Sequence, residues 1–318
     1  MKKRIALLLS VLLLAAAFSA CAPQKTAQAV RIVTLMGPTG MGMAEMMTDS
    51  SLQDAYSFSV ASAPDQAAAA VISGEADIAA VPVNLAAVLY QKTQGNVQLA
   101  AVNTLGVLYV LERGDSIRSV SDLKGQTLYA TGQGSNPEYV LDALLRANGL
   151  EPQTDVEIVY LPEHAELAAQ MTAGSVALGM LPEPNVTSVR LADPDVRIAL
   201  DLTAEWDKVF DTKLVQGCIV VNKAFAQAQP DALQAFLERY EASVEFALTQ
   251  PEEASLCIEQ AGIVPKAAAA KAALPYCNLC FLTGDEMVQS VREMLQLLYD
   301  ADPKSVGGAM PDEAFYRS

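Results

Sequence analysis

The chain has 318 residues, 52% hydrophobic and 18% charged, with 37 acidic against 21 basic side chains and a formal net charge of −16. At about 150 residues per domain, that length implies two folding units, each able to bury its own core, and excludes a disordered tail protein. An acidic chain with no Lys/Arg cluster also excludes a nucleic-acid partner, because phosphate contacts need clustered cations. One histidine is too few for a multi-histidine metal site.

Lys2, Lys3 and Arg4 open the chain, Ile5 to Phe18 is an almost unbroken apolar run, and Ser19, Ala20 and Cys21 are small. The run is shorter than the ~20 residues of a spanning helix, so it reads as a secretory signal. Its ending, Phe18-Ser19-Ala20-Cys21, resembles a bacterial lipobox, in which cleavage leaves Cys21 as a lipidated N-terminus. An uncleaved anchor or an ordinary signal peptide is the alternative. Residues 1–21 are thus expected to be the signal and 22–29 a flexible linker, with the fold starting near Val30.

Arg31 to Leu35 is predicted as a short buried strand, followed by the turn Gly37-Pro38-Thr39-Gly40-Met41-Gly42 and a Met/Ala helix. Pro64 opens an Ala-rich helix, then come Gly74, a strand from Ile78 to Val81, Pro82 and Asn84. Gly106 to Leu111 is another strand. The same order then returns: a strand from Thr127 to Ala130, the turn Gly132-Gln133-Gly134-Ser135, and a helix with Asn136 as N-cap and Pro137 at its first position. Pro162-Glu163-His164-Ala165 precedes the next helix, followed by Gly174, a strand from Val176 to Leu181, Pro182 and Asn185. The parallel implies two similar α/β halves in tandem.

Cys218 to Val221 reads as a strand, and Pro230 opens a helix whose stripe Leu233, Phe236, Leu237, Tyr240, Val244, Ala247 and Leu248 is predicted core. Pro251 opens another helix, and Met287, Val291, Met294, Leu295 and Leu298 mark a last long one. Hinges are expected near Thr104 and Gln216, so that 30–104 with 216–318 form one lobe and 105–215 the other. Alternating strand and helix predicts mostly parallel sheets, with ligand contacts where strand C-termini meet helix N-termini. The two glycine turns would then offer backbone N–H groups to a ligand in the cleft.

The lipobox, Gly37-Pro38-Thr39-Gly40, the Gly74-Glu75-Ala76-Asp77-Ile78-Ala79 stretch before Pro82, and Ser121-Asp122-Leu123-Lys124-Gly125 resemble ABC-transporter substrate-binding lipoproteins. Within these the chain is most similar to the nitrate/sulfonate/taurine and thiamine-pyrimidine-precursor binding group. The resemblance spans about the whole mature chain. It implies an α/β, two-lobed type II periplasmic-binding-protein fold with two crossover strands, closure on a small molecule, and delivery to an ABC permease and its ATPase. The location it implies is extracytoplasmic, lipid-anchored to the bacterial membrane. The Gly-Pro-Thr-Gly-Met turn and Leu181-Pro182-Glu183-Pro184 depart from the sulfonate and nitrate binders.

Expected ligand contacts are Gly37, Pro38, Thr39, Gly40, Met41, Pro82, Asn84, Thr104, Gln133, Gly134, Ser135, Asn136, Glu163, His164, Glu183 and Gln216. None is Lys or Arg, which favours a neutral or cationic, amine- or pyrimidine-like ligand over an oxoanion. Glu163 and Glu183 are candidate acceptors for its N–H groups, unless they are ordinary solvent-facing loop residues. Trp206, Tyr109 and Tyr160 are candidates to stack on a heterocycle, with a core role as the commoner alternative. His164 beside two glutamates is a weak metal signal, and no metal or cofactor is expected. Cys218, Cys257, Cys277 and Cys280 are expected to be structural or free thiols. The chain is read as a monomer and a binder; an oxoanion binder or a cleft enzyme of the same fold is the alternative.

Overall fold

The computed structural model describes residues 29–317. The expected signal, Cys21 and linker residues 22–28 lie outside the described residues. Eleven strands form two sheets among the described residues. The six-stranded sheet contains β1 (Val30–Leu35), β2 (Tyr56–Ala61), β3 (Ile78–Pro82), β4 (Val97–Leu105), β10 (Val215–Asn222) and β11 (Leu279–Leu282), in the order β11-β4-β10-β3-β1-β2. The five-stranded sheet contains β5 (Leu108–Arg113), β6 (Thr127–Thr131), β7 (Glu157–Leu161), β8 (Leu178–Pro182) and β9 (Val196–Asp201), in the order β7-β6-β8-β5-β9.

The strands read as apolar runs because both of their faces are covered. Along β1 and β3, Val33, Leu35, Ala79 and Val81 enter one core cluster, while Ile32, Ile78 and Ala80 enter another. In the smaller sheet Leu108 and Val110 join the first of these clusters, and Tyr109 and Leu111 join a third. That alternation is the two-residue period of a strand sandwiched between layers. One cluster is therefore continuous between the two sheets.

The prediction of mostly parallel sheets fails. β1 pairs parallel with β2 and β3, and β6 with β7 and β8, but β10 is antiparallel to β3 and β4, β11 to β4, and β5 to β8 and β9. The chain explains it. β4 ends in one sheet at Leu105 and β5 begins in the other at Leu108; β9 ends at Asp201 and β10 returns at Val215. A strand that enters its sheet from the other lobe starts where its neighbours finish, so it must run against them.

Helix expectations are met with three local corrections. Pro38–Met41, expected within the first glycine turn, forms a one-turn helix with Gly37 as its N-cap. The helix Asn136–Ala147 takes Ser135 as its N-cap, so Asn136 is its first residue and Pro137 its second. Ser135 is the residue in extended geometry, and its hydroxyl turns back to donate to the Gly132 carbonyl at 2.6 Å. In the helix Pro230–Thr249 the predicted stripe is buried except Leu248, which is 53% exposed on the last turn. The helices Pro230–Thr249, Pro251–Gln260 and Gly284–Ala301 all pack with the six-stranded sheet's lobe, burying Met287, Val291, Met294, Leu295 and Leu298 in the last of them. Cys218, Cys257, Cys277 and Cys280 are free thiols, and burial pushes the Cys218 and Cys277 thiols well up from their usual range. Among the described residues no helix is long and apolar enough to cross a membrane.

Candidate functional site

A cavity of about 320 Å³ lies where the two lobes meet. One wall is the turn after β1, Met36 to Thr39, with Thr104 at the end of β4 and Gln216 at the start of β10. The facing wall is Pro182 to Asn185 after β8, with His164 at the start of the helix His164–Thr172. Val107, in the crossing from β4 to β5, lines it between the lobes, and Ile263, Val264 and Pro265 complete an apolar side.

Seven expected contacts therefore meet at one cavity: Gly37, Pro38, Thr39, Thr104, His164, Glu183 and Gln216. The others do not line it. Gly40 and Met41 are buried behind the turn, Pro82 and Asn84 are half-buried, and Asn136 is buried at the start of its helix. Gln133, Gly134 and Glu163 are exposed and Ser135 half-buried. The turn after β6 and the Glu163 side chain stay outside because the walls are built by the two crossings and by the loop after β8.

The first turn is rigid. Gly37 has φ 79°, a left-handed value that favours glycine. Its N–H donates to the Ile263 carbonyl at 3.3 Å, and its own carbonyl accepts from Gly40 and Met41 at 3.0 and 3.2 Å. Gly40 is required by space, since a Cβ there would sit 2.1 Å from the Leu35 carbonyl oxygen. Pro38 has no N–H. In the second turn Ser135 N–H donates to Gly132, and Gly134 N–H donates to Glu138 Oε2 at 2.6 Å. Internal acceptors, one of them a carboxylate, thus take the N–H groups of Gly37, Gly40, Met41, Gly134 and Ser135, which narrows the backbone donors the two turns can offer a ligand.

Asn103, which the sequence reading missed, holds the first turn in place. It is 1% exposed; its Nδ2 donates to the Thr39 carbonyl at 3.1 Å, and its Oδ1 accepts from the Thr104 hydroxyl at 3.1 Å. Its signal was present as an amide inside the otherwise apolar Leu99-Ala100-Ala101-Val102 run, where an unpaired polar group would be costly. With its proton committed to Asn103, the Thr104 hydroxyl keeps lone pairs for the cavity. Gln216 Oε1 is buried with no hydrogen-bond partner. Ile263 to Pro265 were also missed, because an apolar turn between two helices carries no chemical motif.

The cavity's charge is unusual. None of its lining residues is Lys or Arg. The Glu183 carboxylate accepts from Thr187 N–H at 3.2 Å and Thr187 Oγ1 at 2.9 Å. Burial raises its pKa to about 7, against those hydrogen bonds and the more distant Arg190. His164 Nδ1 and Thr131 Oγ1 are 2.6 Å apart, a contact that fixes the ring, and burial lowers the imidazole pKa while Glu163 opposes it. Near neutral pH the site is therefore a weakly charged, acceptor-bearing pocket with an apolar side. Trp206, Tyr109 and Tyr160 do not line it. Trp206 is fully buried with Nε1 donating to the Thr212 carbonyl, Tyr109 donates to the Tyr276 carbonyl at 2.8 Å, and Tyr160 packs against the core.

Comparison with known proteins follows the same architecture. Residues 57–254 match the family described as NMT1/THI5 like. A solved ABC transporter from Parabacteroides distasonis is 26% identical with TM-score 0.78, covering 92% of this chain and 99% of that one. The periplasmic aliphatic sulphonate binding protein SsuA from Escherichia coli is 20% identical with TM-score 0.71, over 88% and 90%. A putative sulfonate ABC transporter's periplasmic sulfonate-binding protein from Methylobacillus flagellatus is 16% identical with TM-score 0.64, over 92% of each. At those last identities the likeness carries the fold alone. No curated protein matches the chain. The two-lobed α/β architecture with two crossings is the type II periplasmic-binding-protein fold expected from the sequence.

Proposed function

Since the chain belongs to the NMT1/THI5-like family, we propose that it is the solute-binding component of an ABC importer and holds a small molecule in the interlobe cavity. The solved neighbours named for ABC transport and for periplasmic binding support that class and an extracytoplasmic location. The partners that follow are an ABC permease and its ATPase. Lipidation at Cys21 tethers the protein to the membrane in this reading, supported by the basic start, the apolar run and the Phe18-Ser19-Ala20-Cys21 ending. The protein binds rather than transforms its ligand.

The ligand is neutral or cationic and carries N–H donors, as in an amine or an aminopyrimidine. One observation carries this: the cavity is lined by no Lys or Arg, and of the turn N–H groups that could replace them, those of Gly37, Gly40, Met41, Gly134 and Ser135 are bonded internally. A sulfonate would meet the partly ionised Glu183, with no cation lining the cavity and only the more distant Arg190 to offset it. The alternative, an oxoanion ligand, is favoured by two structural neighbours that are described as sulfonate-binding proteins.

A thermal-shift screen of amines, aminopyrimidines, sulfonates and amino acids tests the reading, with mass spectrometry on the recovered ligand. Saturation at about 100 times Kd stabilises by about 2.7 kcal/mol. The expected result is a shift with an N–H-donor ligand recovered unchanged. Stabilisation by sulfonates alone rejects the ligand class, and a converted ligand rejects the binding role.

A further inference from the structure

A second groove of about 770 Å³ shares no lining residue with the cavity described above, and it too is bounded by both lobes. One lobe supplies Thr187, Arg190 and Leu191 from the helix Asn185–Ala192 and Val196 and Ile198 from β9, and the other supplies Tyr276. Its volume lies in the ~300–1,000 Å³ range of small-molecule sites.

Arg190 sets this groove apart. Its guanidinium carbon lies 5.4 Å from the centroid of the Tyr276 ring. Arg31, Arg113, Arg118, Arg146, Arg197, Arg239 and Arg292 each form an ion pair with a carboxylate, whereas Arg190, like Arg317 near the C-terminus, forms none among the described residues. In a chain with a net charge of −16, an arginine with no carboxylate within ion-pair distance, and only Glu183 acting on it from farther off, is an open anion contact. Arg197 also borders the groove, but it is bound to Glu112 and to the carbonyls of Gly114 and Ile117. One uncommitted guanidinium neutralises one charge. Asp193 and Asp195, both paired with Arg113 on the turn before β9, disfavour a second negative charge. Leu191, 62% exposed, with Ile198 and the Tyr276 ring, forms an apolar surface beside the cation.

We propose that this groove is a second ligand site, taking a monocarboxylate with a flat apolar body. The Arg190 fork receives the carboxylate while the Tyr276 ring holds the guanidinium from behind, and the body of the ligand lies on Leu191 and Ile198. The bound molecule touches both lobes and is distinct from the solute in the central cavity.

Titration of the whole protein with sodium benzoate, followed by calorimetry and by amide NMR, tests this, with benzylamine as the matched ring of opposite charge. Benzoate is expected to bind and to perturb residues 187–198 and 276 rather than 36–39 and 216. Arg190→Met is expected to weaken it about tenfold or more, with Arg190→Lys in between, since the lysine keeps the charge but not the fork. Circular dichroism checks that each variant remains folded, and Tyr276→Leu gives an independent second variant expected to weaken benzoate. Undiminished benzoate affinity in Arg190→Met, equal binding of benzylamine, shifts centred on the central cavity, or no benzoate binding at about 20 mM, far above the affinity expected of a charged hydrogen bond with apolar contact, overturns the proposal.

Discussion

The Asn103 side-chain amide donates to the Thr39 carbonyl at 3.1 Å, joining the end of β4 to the first loop of the cavity. Because Asn103 also accepts from Thr104, one buried amide sets the position of two cavity residues. Asn103→Ala leaves the Thr39 carbonyl and the Thr104 hydroxyl without that partner. It is expected to cost about 1–3 kcal/mol in urea unfolding and to weaken the bound solute as well. A variant with unchanged stability and unchanged affinity would remove Asn103 from the account.

Gly40 is the second constraint on the same loop. An added Cβ would meet the Leu35 backbone oxygen at 2.1 Å and Ile263 Cδ1 at 2.9 Å, and a backbone atom has no rotamer by which to move aside. Gly40→Ala is expected to lower stability by about 1–3 kcal/mol, seen as a lower Tm in calorimetry, and to loosen the turn against Ile263. A Tm equal to that of the original protein contradicts the packing described.

Glu183 makes stability depend on pH in a defined direction. Its pKa rises from an ordinary 4.5 to about 7 in the folded protein, so the folded state holds the proton more tightly than the unfolded chain does. Its contribution is near zero below the ordinary value. As pH rises from there through the folded value, it becomes a destabilisation on the order of 3 kcal/mol, constant at higher pH. His164, with its lowered pKa, works in the opposite sense, losing stability as pH falls below its ordinary value. The difference between Glu183→Gln and the original protein isolates the first effect. That difference is expected to grow across this window in urea titrations, and a flat difference refutes the buried, proton-holding Glu183.

The two glutamates expected as ligand acceptors separate in the fold. Glu163 is exposed and outside the cavity, Glu183 is buried and lines it, and Gln216 Oε1 is buried beside it without a partner. Glu163→Gln is expected to leave solute affinity within about twofold, and Gln216→Leu to reduce it about tenfold or more by removing an acceptor. The reverse ranking in calorimetry contradicts the placement of the donor-recognising surface.

The sequence was readable where local chemistry determines structure. The prolines at 64, 230 and 251 begin helices, the Ile78 to Val81 run is a buried strand, and the Gly37 turn falls at the cavity, each from short-range pattern alone. Strand direction was not readable, because the reversal of β5 and β10 depends on which sheet the chain enters after each crossing. The site was half legible for the same reason. Residues on the β1 turn, the crossings and the loop after β8 converge, but Asn136 and Glu163 match the repeat without reaching the cavity, since similarity of order does not fix which loops face each other. Leu248 fits a helical stripe whose last member has nothing packed over it.

Calorimetric titration of the same protein with 4-aminopyrimidine and with ethanesulfonate tests the central claim most directly. The absence of any lysine or arginine at the cavity predicts measurable binding of the N–H donor and none of the sulfonate at matched concentration. Tight binding of ethanesulfonate with no heat from 4-aminopyrimidine would contradict it.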